Sequence, residues 1–135
     1  MKISLACDHG GLSLKLAVKQ HLEALGHQVE DFGTHTRDSC DYSDFAAPAA
    51  QAVAKGQCER SITANKVKGI RCALLSDLMS ARLTRQHNDA NMMALGAGVV
   101  GEKLALEMVD LFLTTPFEGG RHARRVDKVM ALEEN

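Results

Sequence analysis

Apolar residues along the chain fall into two patterns, short continuous runs and longer stretches with helical spacing. Residues 3–7 form an apolar run that ends at Asp-His-Gly-Gly, which predicts a buried strand followed by a loop. The next apolar residues recur at helical spacing and stop before Gly26, which is typical of a helix end: Leu14, Val18, Leu22 and Leu25. Residues 27–32 then predict a second strand, and residues 34–42 a polar loop.

A second helix is predicted before Gly56, because three apolar residues share one helical face: Phe45, Ala49 and Val53. Pro48 has no backbone N–H, so this proline is expected only near the first turn of that helix. Residues 57–60 lead into a segment, 61–66, whose pattern is also helical. A strand is expected between two helices in this alternation, and the sequence has none there.

Strands and helices alternate again in the second half of the chain. Residues 70–75 and 91–95 predict two strands, separated by a helix that Ser76 or Asp77 can cap and that runs to about His87. A long helix follows, marked by Leu104, Met108 and Leu111, and the basic segment after it is predicted to be helical. This order predicts an α/β protein with a parallel sheet covered on both faces, in a single domain over residues 1–135. Ligands of such sheets bind at the carboxyl ends of the strands.

Composition narrows the class of protein. The chain has 135 residues, of which 45% are hydrophobic and 24% charged, which excludes a disordered chain. Sixteen basic and seventeen acidic residues give a net charge of −1, which argues against a general nucleic-acid binder. No apolar run predicts a membrane span or a signal peptide, so we expect a cytoplasmic protein. The four cysteines have no zinc-like spacing and are expected to be free and mostly buried: Cys7, Cys40, Cys58 and Cys72.

The polar residues after the first strand are the first candidates for chemistry. Asp8 and His9 precede Gly10 and Gly11, where the backbone can approach a ligand closely, and the two side chains could bind sugar hydroxyls or phosphate. The alternative is a strand-to-helix turn in which Asp8 is a helix cap. The only tyrosine, Tyr42, lies in the predicted polar loop, where it is either a packing residue or a sugar contact.

Two further groups of residues carry candidate chemistry. His87 could be a general acid and base, because the intrinsic pKa of histidine lies near neutrality. The alternative is that His87 and Asn88 only end the helix, since histidine and asparagine are both common at a helix C-terminus. Four potential cations follow two glycines and suggest an anion clamp or, alternatively, a solvated helix face: Arg121, His122, Arg124 and Arg125. These groups suit a small phosphorylated, hydroxyl-rich ligand. Neither phosphate-binding glycine signature of nucleotide enzymes is present.

Several long motifs together resemble one known family. The opening CDHGG, the Asp41-Tyr42 pair, SITANKVKGIR from Ser61, SARLTRQHNDAN from Ser80 and EGGRHARRV from Glu118 are similar to the family of ribose-5-phosphate isomerase B and galactose-6-phosphate isomerase. The motifs cover nearly the whole chain in the family's order. The HNDAN and GGRHxxRV patterns are closer to ribose-5-phosphate isomerase B.

The resemblance implies a fold, a reaction and a set of roles. It implies a Rossmann-like three-layer fold, a homodimer or tetramer with shared active sites, and interconversion of an aldose phosphate and a ketose phosphate without metal or cofactor. Asp8, His9 and Tyr42 would contact the sugar, and Asn88 would help to bind it. His87 would open the sugar ring, and two arginines would hold the phosphate, on the partner's site: Arg121 and Arg125.

The sequence departs from the family between Arg60 and Ser61, which are directly joined here. The family has about ten further residues at this point, a central strand and a glycine-rich turn. The strand supplies the cysteine that moves the proton, and the turn supplies backbone N–H groups that stabilise the enediolate. Proton transfer would need a substitute base; Cys7 and Cys72 are thiols on strands, but neither is expected to serve as that base. The expected alternatives are an impaired pentose-phosphate isomerase, a hexose-6-phosphate isomerase subunit, or an inactive sugar-phosphate-binding homologue.

Overall fold

A computed structural model describes residues 1–58 and 65–134, in which short strands alternate with helices. The strands of these ranges are β1 (Lys2–Leu5), β2 (Gln28–Asp31), β3 (Cys72–Leu75) and β4 (Met92–Leu95). The α-helices are α1 (Leu12–Ala24), α2 (Tyr42–Ala54), α3 (Leu78–Asn88), α4 (Glu102–Thr114) and α5 (Arg121–Met130). Short 3-10 turns cover His9–Gly11 and Ala131–Glu134. The predicted alternation of strands and helices is therefore confirmed.

The strands pair in parallel, but they form two sheets of two strands each. β1 pairs with β2 in the register Lys2 opposite Gln28, and β3 pairs with β4 in the register Cys72 opposite Met92. Within residues 1–58 and 65–134, no strand joins β1 to β3. The division falls where the sequence predicted a missing central strand. The Arg60–Ser61 junction lies outside the described residues, as does the predicted helix over 61–64, while Asn65 and Lys66 lie in a turn instead of a helix.

Helices cover both faces of the strands, which gives three layers. Met92 and Met93 are neighbours on β4 and point to opposite faces, as successive strand residues must. Met93 belongs to the larger apolar cluster, which joins both sheets to α1 and α4 through Leu5, Leu22 and Phe112. Met92 belongs to a second cluster under α2. The fold is thus a Rossmann-like α/β/α sandwich, as predicted, in which helix packing joins the two sheets.

Three predictions about the positions of residues at or within helices are wrong. Tyr42 is the first residue of α2 and not part of the polar loop, because the chain turns helical directly after Asp41. Pro48 lies in the interior of α2 and not near its first turn, since the buried alanine face of the helix outweighs the lost hydrogen bond. Asn88 is not the left-handed cap of α3; Asp89 is, at φ 45° and ψ 42°. Asp77 caps the start of α3 as predicted, accepting from the Ser80 N–H at 2.8 Å.

A buried ion pair fixes α1 to the end of β2. Lys15 Nζ donates to Asp31 Oδ1 at 2.6 Å and to the Thr34 carbonyl at 2.8 Å, and the lysine is only 5% exposed. Asp31 also accepts from the Gly33 N–H at 2.9 Å. Beyond the strands, the Cys7 N–H donates to the Gly33 carbonyl at 2.7 Å. These contacts hold the loop after β2 beside the residues that follow β1.

No disulfide joins the four cysteines to one another, as expected, but only Cys58 is buried; Cys7, Cys40 and Cys72 are half-buried. The expectation that most would be buried is therefore wrong, because these three lie at strand ends or in loops. Across residues 1–58 and 65–134, the structure has no helix with the length and apolar character needed to span a membrane.

Candidate active site

A cavity of about 650 Å³ opens between the end of α3, the start of β3 and the length of α5. Three of the residues predicted for the site line it: His87, Asn88 and Arg125. Other polar residues also line the cavity: Asn65, Arg71, Thr84 and His122. Its apolar lining includes Ile70, Cys72 and Val126. A cavity of this volume, with a few polar groups on an apolar wall, is the usual form of a small-molecule site.

Two arginines fix the end of α3, where His87 and Asn88 lie. Arg71 donates from Nε to the carbonyls of Asn88 and Asp89, at 3.1 Å each, and from Nη2 to the Asp89 carbonyl at 2.8 Å. The buried Arg85 donates to Asp89 Oδ1 at 2.8 Å. Cations are favourable at a helix C-terminus, where carbonyl groups lack helical partners. The helix end therefore presents His87 to the cavity from a fixed backbone.

His87 is one of three side chains that converge at the cavity wall. Its ring stacks on that of His122 with centroids 4.2 Å apart and planes 2° from parallel. The Glu118 carboxylate lies 3.8 Å from His87 Nε2 and 3.6 Å from His122 Nε2. The Glu118 N–H donates to the Gln86 carbonyl at 3.0 Å, which fixes the loop before α5 beside α3.

His122 is neutral at neutral pH. Burial lowers its pKa, and the neighbouring His87, Arg121 and Arg125 lower it further, while Glu118 acts in the opposite direction. Arg121 Nε donates to His122 Nε2 at 3.4 Å, so this nitrogen accepts. The sequence placed His122 among four cations; the structure makes it a buried neutral ring.

The glycine pair before α5 sets the direction of this helix. Gly119 has φ +66°, and Gly120 has φ +53° with ψ −123°, a conformation that side-chain-bearing residues rarely adopt. The chain therefore turns into α5 at once, and Arg121 and Arg125, one helical turn apart, follow on the same face. Arg125 lines the cavity, and Arg121 reaches the cavity residue His122.

The predicted residues near β1 lie apart from this cavity. Asp8 caps the 3-10 turn by accepting from the Gly11 N–H at 2.9 Å, which confirms its reading as a cap. His9 is exposed, and its Nδ1 accepts from the Cys40 N–H at 3.4 Å. Tyr42 is 70% exposed at the start of α2. None of these three side chains lines the cavity around His87.

The predicted residues thus form two groups within one chain. The cavity group is His87, Asn88, Arg121 and Arg125, and the strand-end group is Asp8, His9 and Tyr42. The expectation that the two arginines lie on the partner's site, apart from His87, is wrong for Arg125, which lines the same cavity as His87. Sequence reasoning did not identify Arg71 or Glu118 as parts of the cavity group. Arg71 stands 17 residues from the carbonyl it fixes, which no local pattern reveals. Glu118 stands at the start of EGGRHARRV, and its place in that motif was the only available signal.

The fold and the cavity define a Rossmann-like α/β protein with a site for a small anionic metabolite, because guanidinium, imidazole and amide groups meet at its wall. Comparison with known proteins gives the family. The profile of the Ribose/Galactose Isomerase family matches residues 3–129, so the chain belongs to this family. The predicted family is confirmed, and with it the prediction that the chain is a sugar-phosphate isomerase by class.

Relatives match this chain over nearly their whole length. Ribose-5-phosphate isomerase B of Escherichia coli is 42% identical, with 98% of this chain and 97% of the relative covered. The structure of ribose-5-phosphate isomerase B from Clostridium thermocellum superposes with a TM-score of 0.97 at 46% identity, over 99% of this chain and 98% of that one. The enzyme from Mycoplasma genitalium, solved with bound ribulose-5-phosphate, has a TM-score of 0.95 at 37% identity, over 99% and 97%.

One alignment also bears on the predicted missing segment. The putative sugar phosphate isomerase YwlF of Bacillus subtilis is 42% identical over 146 aligned positions, covering 99% of this chain and 98% of the relative. Because this chain has only 135 residues, at least 11 aligned positions of that relative have no counterpart here. This number agrees with the length of one strand and its turn.

Proposed function

We propose that the chain binds ribose 5-phosphate and interconverts it with ribulose 5-phosphate, with the cavity group as one half of each active site. The observation that carries the proposal is the meeting of His87, Asn88 and Arg125 in one 650 Å³ cavity. The relatives named ribose-5-phosphate isomerase B, one of them with ribulose-5-phosphate bound, support the choice of substrate.

His87 is the residue proposed to open the sugar ring. Its protonated imidazole donates a proton to the ring oxygen of the sugar while the anomeric hydroxyl loses its proton to water. The bond between C1 and the ring oxygen then breaks, and C1 becomes an aldehyde. Glu118, 3.8 Å from Nε2, is an ion-pair partner for the protonated ring. Histidine suits this step because it exchanges protons near neutral pH.

Arg121 and Arg125 are proposed to bind the phosphate. Both extend from the first two turns of α5, and guanidinium groups match the geometry of phosphate oxygens. Asn88 would bind a sugar hydroxyl from the end of α3. No metal or cofactor is proposed for the reaction.

The strand-end group is proposed to complete the active site of a second subunit. Asp8, His9 and Tyr42 do not line the cavity of their own chain, so a site that uses both groups requires two copies. This supports a homodimer, or a dimer of dimers, with active sites shared across the interface. His9 and Tyr42 are both exposed and accessible to a partner.

Two alternatives have observations in their favour. The family name includes galactose, which favours a hexose-6-phosphate substrate as the second candidate. The third candidate is a homologue that binds sugar phosphate without isomerising it. The unmatched alignment positions and the divided sheet favour this candidate. Burial raises the pKa of Cys7, so this thiol stays protonated near neutral pH and is a poor replacement for the missing base.

The first experiment measures turnover and binding with ribose 5-phosphate and galactose 6-phosphate. Formation of ribulose 5-phosphate supports the proposal, preferential turnover of galactose 6-phosphate supports the second candidate, and binding without turnover supports the third. Arg125→Ala is expected to weaken binding of either ligand. Arg124→Ala is the matched control, because this exposed arginine lies on the same helix and does not line the cavity.

A second experiment isolates the role of His87. His87→Ala should slow the reaction of the closed-ring sugar more than that of an open-chain substrate, because only the closed form needs ring opening. Equal slowing of both forms would contradict this role.

Mixing two inactive variants tests the shared site. His9→Ala and His87→Ala chains, unfolded and refolded together in equal amounts, should recover roughly a quarter of wild-type turnover, since half of the dimers are mixed and each holds one intact site. Sites contained within one chain would give no recovery.

A further inference from the structure

Three side chains beside the cavity have the composition of a transition-metal site. His87, Glu118 and His122 each offer a ligand atom, and these atoms all lie within 4.8 Å of one another. Two imidazoles and one carboxylate are a common protein ligand set for zinc, which leaves a fourth position to water. Within residues 1–58 and 65–134, this is the only group of three such residues.

The Glu118 carboxylate faces ring nitrogens of both histidines. The Glu118 carboxylate offers two oxygen atoms as acceptors or metal ligands. His122 Nε2 also accepts, because it receives the Arg121 N–H at 3.4 Å. Glu118 lies 3.6 Å from this nitrogen, so two acceptors stand opposite each other. A cation that displaces the Arg121 N–H from the single lone pair of Nε2 would bind both.

We propose that His87, Glu118 and His122 form a binding site for a divalent transition ion of the zinc type, and that the bound ion inhibits the enzyme. Binding needs only the three side chains. Inhibition rests on the proposed function, because an ion on the ring nitrogen of His87 removes the lone pair that this residue needs for proton transfer.

Metal binding requires the exposed side chains of His87 and Glu118 to turn. Ligand atoms around tetrahedral zinc are about 3.4 Å apart, close to the 3.6 and 3.8 Å that separate Glu118 from the two rings. The parallel stack of the rings must open, because an ion lies in the plane of each imidazole that binds it. The side chains of His87 and Glu118 are 38% and 46% exposed and can turn, whereas His122, at 8%, is held in place.

The surroundings select the type of ion. Imidazole nitrogens favour zinc, nickel and copper over magnesium and calcium, which prefer oxygen ligands. Arg121 and Arg125 are cationic neighbours that weaken the attraction for any cation.

The direct test is a titration of the purified chain with Zn²⁺ in competition with a chromophoric chelator. Wild-type protein should show one site that Glu118→Gln and His122→Gln each weaken at least about tenfold. His21→Gln is the matched control, because His21 also pairs with a carboxylate, Asp110, at 2.7 Å but has no third ligand among residues 1–58 and 65–134. Cys40→Ser controls for binding at the His9–Cys40 pair.

The outcomes separate this proposal from the proposed function. Unchanged Zn²⁺ affinity in Glu118→Gln, which changes an exposed side chain, would overturn the metal site. Mg²⁺ binding at equal affinity would also overturn it. If Zn²⁺ binds as expected but leaves turnover of ribose 5-phosphate unchanged, the site stands and the inhibition is refuted.

Discussion

The ion pair between Lys15 and Asp31 gives the sharpest stability prediction, tested by Asp31→Asn. This change keeps an acceptor for the Gly33 N–H but removes the charge opposite Lys15 Nζ, which is 2.6 Å away. At that distance the attraction is about 6 kcal/mol with an effective dielectric constant of about 20. The Thr34 carbonyl remains a partner for the lysine, so the net cost is smaller.

We expect Asp31→Asn to lower the free energy of unfolding by about 3 kcal/mol, the lower end of the range for breaking a buried pair. The melting temperature should fall by roughly 10 °C. Urea denaturation followed by circular dichroism measures the first quantity, and a thermal scan measures the second.

Two further variants serve as controls for the stability effect of Asp31→Asn. Glu23→Gln breaks a pair on the same helix, Lys19 with Glu23 at 3.3 Å, that is 35% and 50% exposed and should cost under about 1 kcal/mol. The double variant Lys15→Met with Asp31→Asn removes both charges and keeps the acceptor for the Gly33 N–H, so it should be more stable than Asp31→Asn. A loss in Asp31→Asn no larger than that in Glu23→Gln would refute the account of this pair.

Three further changes have expected outcomes. Pro48→Ala should raise the free energy of unfolding by about 1–3 kcal/mol in urea, because it restores a hydrogen bond within α2; a loss of stability would contradict this. Gly33→Ala should cost more than about 1 kcal/mol, since φ is +100° and a new Cβ would lie 2.8 Å from the Phe45 ring; a neutral effect would contradict this. Because the pKa of His122 is lowered in the fold, the unfolded chain binds this proton more readily, so stability should fall as pH drops below about 6.5. His122→Gln should flatten that part of the pH profile, and an unchanged slope would contradict the shift.

The order of the elements was predictable because it depends on local patterns. Apolar runs and helical spacing located four strands and the helices around them, and Asp77 was recognised as a cap. Pro48 was misplaced because the packing of α2 is a tertiary effect. The lowered pKa of His122 was also not predictable, since it depends on burial and on His87, 35 residues away in the sequence.

The candidate site was predicted in part. The motifs identified His87, Asn88, Arg121 and Arg125; the structure brings His87, Asn88 and Arg125 into one cavity, with Arg121 against the cavity residue His122. The separation of Asp8, His9 and Tyr42 from that cavity depends on how the two sheets stand to each other, which no local pattern contains. The support that Arg71 gives to the end of α3 is a long-range contact of the same kind.

A crystal structure of the chain with ribose 5-phosphate tests the central claim most directly. The account predicts the phosphate in hydrogen-bond contact with Arg121 and Arg125, His87 beside the ring oxygen, and Asp8 and His9 of a partner subunit on the sugar. A sugar phosphate bound away from His87, with the cavity empty, would contradict the account.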